Sequence, residues 1–175
     1  TDQFELARIY KFFTLILRMK PEEHEFKVMG LSAYSKKKFI LDVYNKVFKN
    51  IQKFNGIKIV HKNRPKDLYK YLNESTQSFR FDNIAGGLQY FVEKMMKDLL
   101  VRIYKKYKIR NFYFSGGLSM NVKMYNDLGK LKFVDYLYSP PSGADESISM
   151  GACYYLSKDN LTTSLDNIYL GKNLV

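Results

Sequence analysis

Two adjacent glycines, Gly116 and Gly117, stand in the run FYFSGGLSMN at 112–121, where an apolar strand pattern changes to a helical one. Glycine has no Cβ, so a ligand can come close to its main chain. A strand that turns into a helix in this way offers backbone amides and the helix N-terminus to a phosphate. Asn121, one turn further on, can direct its side-chain amide back at a ribose or phosphate. The pattern predicts a nucleotide-binding turn.

The alternative for this run is a tight strand-to-helix turn that holds no ligand. The spacing is neither GxGxxG nor that of a Walker P-loop, and no matching Lys-Ser/Thr pair follows the glycines. Taken alone, the two glycines favour the turn without a ligand over the phosphate site.

A second candidate is Asp145, in the run PPSGADES at 140–147 that follows another predicted strand. A carboxylate at the carboxyl end of a strand can hold a divalent metal that bridges nucleotide phosphates. It can also cap the following helix and complement its dipole, and taken alone the motif favours this commoner role. If the two strands are neighbours, this run lies beside the glycine turn.

A third candidate is Lys27, in the run EFKVMGLSAY at 25–34, which we predict to be an apolar loop. A lysine there can meet an anionic substrate or remain a solvated surface residue. His24 has no second histidine at metal-ligand spacing, so it does not define a metal site. Gly86 and Gly87 lie inside a long helical pattern, where close helix packing explains them better than chemistry does.

The elements that position these residues follow from hydrophobic periodicity. Helix, strand, helix, strand and helix alternate at short spacing in the second half of the chain, which predicts an α/β core with parallel strands. The part before it is mostly helical, and residues 61–81 show no clear pattern. In order, the predicted elements are a helix over 4–19, a loop over 22–35, a helix over 36–54, a strand over 57–60, a helix over 82–107, a strand over 111–115, a helix over 118–130, a strand over 133–138 and a helix over 147–156.

The chain has 175 residues and a formal net charge of +12. Most of the excess positive charge lies in residues 36–70, which contain eleven Lys and Arg but only two Asp and Glu and so have a net charge of +9. A solvated lysine-rich helix face is the expected explanation, and nucleic-acid binding is the alternative. Cys153 is the only cysteine, which excludes an intramolecular disulfide and fits a reducing compartment. We expect a cytoplasmic protein without a membrane segment.

Four sequence runs follow one another along the chain: KVMGLSAY, NIAGGLQ, SGGLSMN, and PPSGADES followed by SMGACYY. Their combination and order are a more specific family signal than any single run. Together, over roughly residues 4–156, they resemble the carbamoyltransferase family that includes the nodulation, tobramycin and cephamycin-type O-carbamoyltransferases. The resemblance implies part of an actin-like ATPase fold of the sugar kinase and Hsp70 type. It also implies an enzyme that forms carbamoyl-adenylate from carbamoyl phosphate and ATP and passes the carbamoyl group to a hydroxyl of a small acceptor.

Carried over by position, Gly116 and Gly117 would approach the nucleotide phosphates and Asn121 would help to fix the nucleotide. Asp145 would be a ligand of a divalent metal of the iron or magnesium type, although Ala144 stands where the family usually has glycine. Lys27 matches the lysine of the KVMGL run and is a possible substrate contact. The paired histidines of the family and its carbamoyl phosphate-binding domain would belong to other parts of the same enzyme.

We therefore expect residues 1–175 to form one domain that is a fragment of a larger enzyme and inactive alone. Residues 36–81 would be a basic, mostly helical insertion-like segment, and residues 160–175 a tail. Two alternatives stay open. One is a non-catalytic nucleic-acid-binding module, and the other is another actin-like enzyme, either a sugar kinase or a relative of the tRNA threonylcarbamoyl transferase.

Overall fold

The computed structural model describes residues 6–61, 65–140, 142–143 and 145–157. Ala144 and the predicted tail at 160–175 lie outside the described residues. The helices are α1 (Leu6–Ile16), α2 (Glu25–Leu31), α3 (Lys37–Val43), α4 (Leu68–Thr76), α5 (Phe81–Tyr107), α6 (Val122–Gly129) and α7 (Glu146–Leu156). The strands are β1 (Gln52–Asn55), β2 (Lys58–His61), β3 (Asn111–Tyr113) and β4 (Tyr136–Tyr138). The architecture is a mixed, mostly helical α/β arrangement, as expected.

The 27-residue helix α5 is the centre of the fold, and the prediction of a long amphipathic helix there is confirmed. Its first half is buried almost all round, and α1, α2, α3 and α6 pack against it. It ends at Lys108, which takes a left-handed conformation with φ of 59°. Among the described helices, none is both long enough and apolar enough to cross a membrane.

Helices α3 and α5 approach each other closely at Gly86 and Gly87. A Cβ built on Gly86 would lie 2.8 Å from Ile40 Cγ1, and one built on Gly87 would lie 2.5 Å from Val43 Cγ1. Real Cβ atoms essentially never come this close to a neighbour, so a side chain at either position would force α3 residues to move. The predicted packing role of this pair is confirmed.

A stack of aromatic rings joins α1 and α5 through the segment that follows α3. The ring of Phe48 lies 5.3 Å from that of Phe13 and 5.0 Å from that of Phe91, and all three are buried. Phe48 closes a π-helical turn over Tyr44–Phe48, in which the Lys49 N–H donates to the Tyr44 carbonyl oxygen at 2.9 Å. The wider turn brings Val47 and Phe48 into the core together.

The predicted helix over 36–54 is wrong beyond residue 48. Residues 52–55 form strand β1, which pairs with β2 as an antiparallel hairpin around Gly56 with φ of +61°. Phe54 fits a helical period and a strand alternation equally, so apolar spacing alone did not distinguish them. The Asn55–Gly56 pair is a strong hairpin signal, and Arg102 holds the turn by donating to the Gly56 carbonyl oxygen at 3.1 Å. The strand predicted over 57–60 is confirmed as β2.

The predicted loop over 22–35 is also wrong, because residues 25–31 form helix α2 and a 3₁₀ turn follows at Ser32–Tyr34. Val28 is completely buried, and Met29 and Leu31 pack at the edge of the core. The single glycine of this run, Gly30, has nothing within 4 Å of a built Cβ, so it is not a loop-forming residue here. Lys27 therefore stands on an exposed helix face.

The strand–helix–strand unit β3–α6–β4 has the parallel pairing that the sequence predicts. Phe112 is opposite Leu137, and the sheet continues one step further because the Phe114 N–H donates to the Tyr138 carbonyl oxygen at 2.8 Å. Strand β4 is shorter than the predicted 133–138 because Phe133 instead stacks on Tyr104 of α5, with ring centroids 4.5 Å apart.

We predict that Gly87→Ala lowers the free energy of unfolding by about 1–2 kcal/mol. Overpacking a core costs roughly 1–3 kcal/mol, and the better helix propensity of alanine returns up to about 1 kcal/mol. Gly30→Ala is the matched control, since its Cβ enters open space, and it should be neutral or stabilising. Urea unfolding measures both changes.

If the clash is with Val43, the double variant Gly87→Ala/Val43→Ala should lose less than the two single losses together, because the smaller residue makes room for the new methyl group. Strict additivity, or a Gly87→Ala protein as stable as Gly30→Ala, would show that the two helices do not meet at this point.

Candidate functional site

The two candidate loops meet at the carboxyl ends of β3 and β4, as expected for neighbouring parallel strands. The Gly116 N–H donates to the Gly143 carbonyl oxygen at 2.6 Å. Asp145 follows two residues after this contact and is exposed. The structure thus brings together the predicted phosphate turn and the loop that carries the predicted metal ligand.

The structural constraints at the two glycines of the turn, Gly116 and Gly117, differ. Gly116 has φ of 93° and ψ of 160°, a conformation that is essentially restricted to glycine. Gly117 has no left-handed φ. A Cβ built on either residue meets no described atom within 4 Å. Neither conformation nor packing requires glycine at 117, and the space beside this exposed residue is open.

Gly143 packs directly on the turn. The turn Gly117–Met120 is a 3₁₀ helix, and the Ser119 N–H donates to the Gly116 carbonyl oxygen at 2.9 Å. A Cβ on Gly143 would lie 2.0 Å from Ser119 Oγ and 3.1 Å from the Gly116 carbonyl oxygen. The loop contact therefore depends on glycine at position 143.

Asn121 is buried below the turn, and hydrogen bonds within the protein hold its amide. Its Oδ1 accepts from the Met124 N–H at 3.0 Å, which caps α6, and from Gln89 Nε2 at 3.0 Å. Its Nδ2 donates to Gln89 Oε1 at 3.0 Å. The structure therefore shows Asn121 positioning the turn on α5 and α6. Contact between Asn121 and a nucleotide stays a prediction.

Gln89 is the partner that reasoning from the sequence left without a role. It is 1% exposed, and its Oε1 also accepts from the Tyr10 hydroxyl at 3.0 Å while its Nε2 donates to Glu93 Oε1 at 2.8 Å. The sequence feature that indicates a structural role for Gln89 is its position, because it interrupts the apolar face of α5 between Leu88 and Phe91. A polar side chain on a buried face needs partners.

The network continues to α2 through charged groups. Lys123 Nζ lies 3.8 Å from Glu93 Oε1 and donates to Ser32 Oγ at 3.3 Å. Burial, followed by the charges of Glu93 and Glu25, raises the pKa of Tyr10 well above its ordinary value. Side chains from α1, α5 and α6 and from the turn after α2 are thus linked below the glycine turn.

Asp145 directly precedes α7, and its side chain makes no capping hydrogen bond to that helix. The structure therefore shows no hydrogen bond that would support the alternative role of Asp145 as a helix cap. Among the described residues, no three His, Cys, Asp or Glu side chains group as a metal site. Metal binding by Asp145 stays a prediction, and a metal there would need further ligands from outside the described residues.

The remaining candidates lie apart from the glycine turn. The ammonium group of Lys27 is exposed and lies 5.7 Å from the ring of Phe26, and no contact in the described part of the chain joins it to Gly116 or Gly117. The His24 Nδ1 accepts from the Lys20 N–H at 3.1 Å and so stabilises the turn before α2.

Comparison with known proteins identifies one family and two relatives. A family model described as "Carbamoyltransferase N-terminus" matches residues 3–154. Uncharacterized protein MJ1058 of Methanocaldococcus jannaschii is 28% identical over 152 residues, which are 84% of this chain and 24% of that protein. Uncharacterized protein MJ1051 of the same organism is 27% identical over 166 residues, which are 93% of this chain and 32% of that protein. The chain thus spans about a quarter to a third of the length of these relatives.

We predict that Asn121→Ala lowers the free energy of unfolding by about 2–4 kcal/mol. The change removes a helix cap, worth about 1 kcal/mol, and leaves buried polar atoms of Gln89 without a partner, at a cost of roughly 1–3 kcal/mol. Asn121→Ser keeps a good capping residue and should recover the first part of the loss only. Urea unfolding of both variants separates the two contributions, and an Asn121→Ala protein as stable as wild type would contradict the network.

We predict that Tyr10 makes the protein less stable in alkali. Its folded-state pKa lies above the ordinary value of 10.0, so the unfolded chain loses the tyrosine proton first and stability falls as pH rises above about 10. Tyr10→Phe should lose about 1 kcal/mol at pH 7, because the Gln89 hydrogen bond is gone, and should show a shallower decline at high pH. Unfolding curves between pH 8 and 11 test this, and parallel declines of the two proteins would refute it.

Proposed function

The chain belongs to the carbamoyltransferase N-terminus family, and on this premise we propose that it is part of an O-carbamoyltransferase that binds ATP at the junction of Gly116 and Gly143. The complete enzyme would transfer a carbamoyl group to a hydroxyl of a small acceptor. The match to under a third of each relative supports a role for further segments of the same enzyme.

The proposed chemistry proceeds through carbamoyl-adenylate. Hydrolysis of carbamoyl phosphate first gives carbamate and inorganic phosphate. A carbamate oxygen then attacks the α-phosphorus of ATP, and pyrophosphate leaves. The acceptor hydroxyl then attacks the carbamoyl carbon, and AMP leaves. Such steps need neutralisation of phosphate charge more than a protein nucleophile, so a backbone cradle suits them.

The observation that carries the proposal is the open space beside Gly117, which we propose as a phosphate cradle. A phosphate there would lie at the carboxyl end of β3, where α/β proteins bind nucleotides, and no side chain competes for the space. The Gln89–Asn121 pair joins the end of the turn to α5 from below, which supports a defined position for Gly117. Lys27, exposed on α2, is proposed as a contact for an anionic substrate group.

Asp145 is proposed as one ligand of a divalent metal, of the iron or magnesium type, at the phosphates. When bound, such a metal would neutralise phosphate charge. The support is positional, because an exposed carboxylate follows the loop that Gly143 joins to the turn. The protein groups that complete the ligand set would come from another part of the enzyme.

We predict that the full-length enzyme releases pyrophosphate from ATP only when carbamoyl phosphate is present, and AMP only when an acceptor is present as well. Gly117→Val should lower kcat/KM for ATP by about 100-fold, because its side chain fills the phosphate cradle, while stability changes little. Asp145→Asn should lower activity by at least about tenfold and weaken the metal dependence.

Gly151→Ala is the matched control, since its Cβ enters open space on α7, away from the glycine turn. It should keep wild-type activity. Formation of ADP without any need for carbamoyl phosphate would instead identify a sugar kinase. A Gly117→Val enzyme with wild-type ATP kinetics would exclude the cradle as the nucleotide site.

A further inference from the structure

The hydroxyl of Ser119 is buried at the junction of the two loops without a hydrogen bond. The residue is 6% exposed, and within the part of the chain that the structure describes its Oγ has no partner. Leaving a hydroxyl unpaired in the interior costs free energy, which alanine at the same position would avoid. An unpaired buried group beside a candidate ligand site suggests that its partner is the ligand.

Ser119 and Gly116 act as one unit. The Ser119 N–H donates to the Gly116 carbonyl oxygen at 2.9 Å, so the hydroxyl and the Gly116 amide belong to the same short turn. Both are covered by the same residue. The Gly143 carbonyl oxygen accepts from the Gly116 N–H at 2.6 Å, and a Cβ on Gly143 would lie 2.0 Å from Ser119 Oγ.

This arrangement conflicts with phosphate binding in one respect. The Gly116 N–H is already used by the Gly143 carbonyl, whose oxygen would also repel a phosphate oxygen nearby. A phosphate can take this donor only when Gly143 moves away. The same movement uncovers the Ser119 hydroxyl, so two donors become available together, one of them from a side chain.

We propose that Ser119 is a further ligand-binding residue, whose hydroxyl donates to a nucleotide phosphate oxygen once that oxygen has replaced the Gly143 carbonyl at the Gly116 N–H. The inference rests on the proposed function, and it adds a side-chain donor and a loop displacement to a site otherwise built from backbone. The unpaired Ser119 hydroxyl destabilises the free protein, and its hydrogen bond to the phosphate removes this destabilisation in the ATP complex.

The test is Ser119→Ala in the full-length enzyme, with ATP as the probe. Without ATP, the melting temperature should be unchanged or higher, because no hydrogen bond is lost. The Kd for ATP, measured by calorimetry, should rise roughly 10- to 100-fold, as expected for one lost hydrogen bond to a charged group. Ser119→Cys keeps the shape with a weaker donor and should give an intermediate Kd.

Ser75→Ala is the matched control, because its hydroxyl donates to the Leu72 carbonyl oxygen of its own helix at 3.2 Å, and its ATP affinity should equal that of wild type. A Ser119→Ala enzyme with wild-type Kd would overturn the inference while the proposed function stands. A clearly lower melting temperature of that variant without ATP would overturn it too, by revealing a partner in the free protein. Absence of ATP binding in wild type would refute the proposed function and the inference with it.

Discussion

The amide pair between Gln89 and Asn121 is the interaction on which the arrangement of the site depends. Two buried amides, 32 residues apart in sequence, exchange two hydrogen bonds of 3.0 Å. Since an unpaired amide in the interior costs more than a hydrogen bond contributes in net terms, α5 and α6 are restricted to the few relative positions that keep the pair intact. Those positions also place the glycine turn above α5. The site is therefore positioned by a polar contact inside an otherwise apolar core.

The glycines around the site differ in what requires them. Gly86, Gly87 and Gly143 allow elements to approach more closely than a Cβ permits, and Gly116 supplies a backbone conformation that other residues rarely adopt. Gly117 has neither requirement, and the same holds for Gly30 and Gly151 elsewhere in the fold. What distinguishes Gly117 from those two is its place after β3, at the carboxyl end of a parallel strand, where α/β proteins bind nucleotides. This distinction separates fold from candidate function within one short motif.

Periodicity predicted the elements whose local pattern and tertiary environment agree. The long helix α5 and the parallel β3–α6–β4 unit belong to this group, because their apolar faces are the faces they bury. Periodicity gave a wrong element around Phe54, whose spacing fits a helix and a strand equally. It also gave a wrong element at α2, where one glycine suggested a loop. In the second case the burial of Val28 against the core outweighs the local preference.

The sequence by itself determined the order and content of the motifs, and with them the family and the positions of Gly116, Gly117, Asn121 and Asp145 along the chain. These are properties of neighbouring residues, so they can be read without a fold. The pairing of Asn121 with Gln89, the contact of Gly116 with Gly143 and the unpaired hydroxyl of Ser119 were decided only by the tertiary structure. Each depends on which distant groups packing brings within about 3 Å, and periodicity carries no information at that distance.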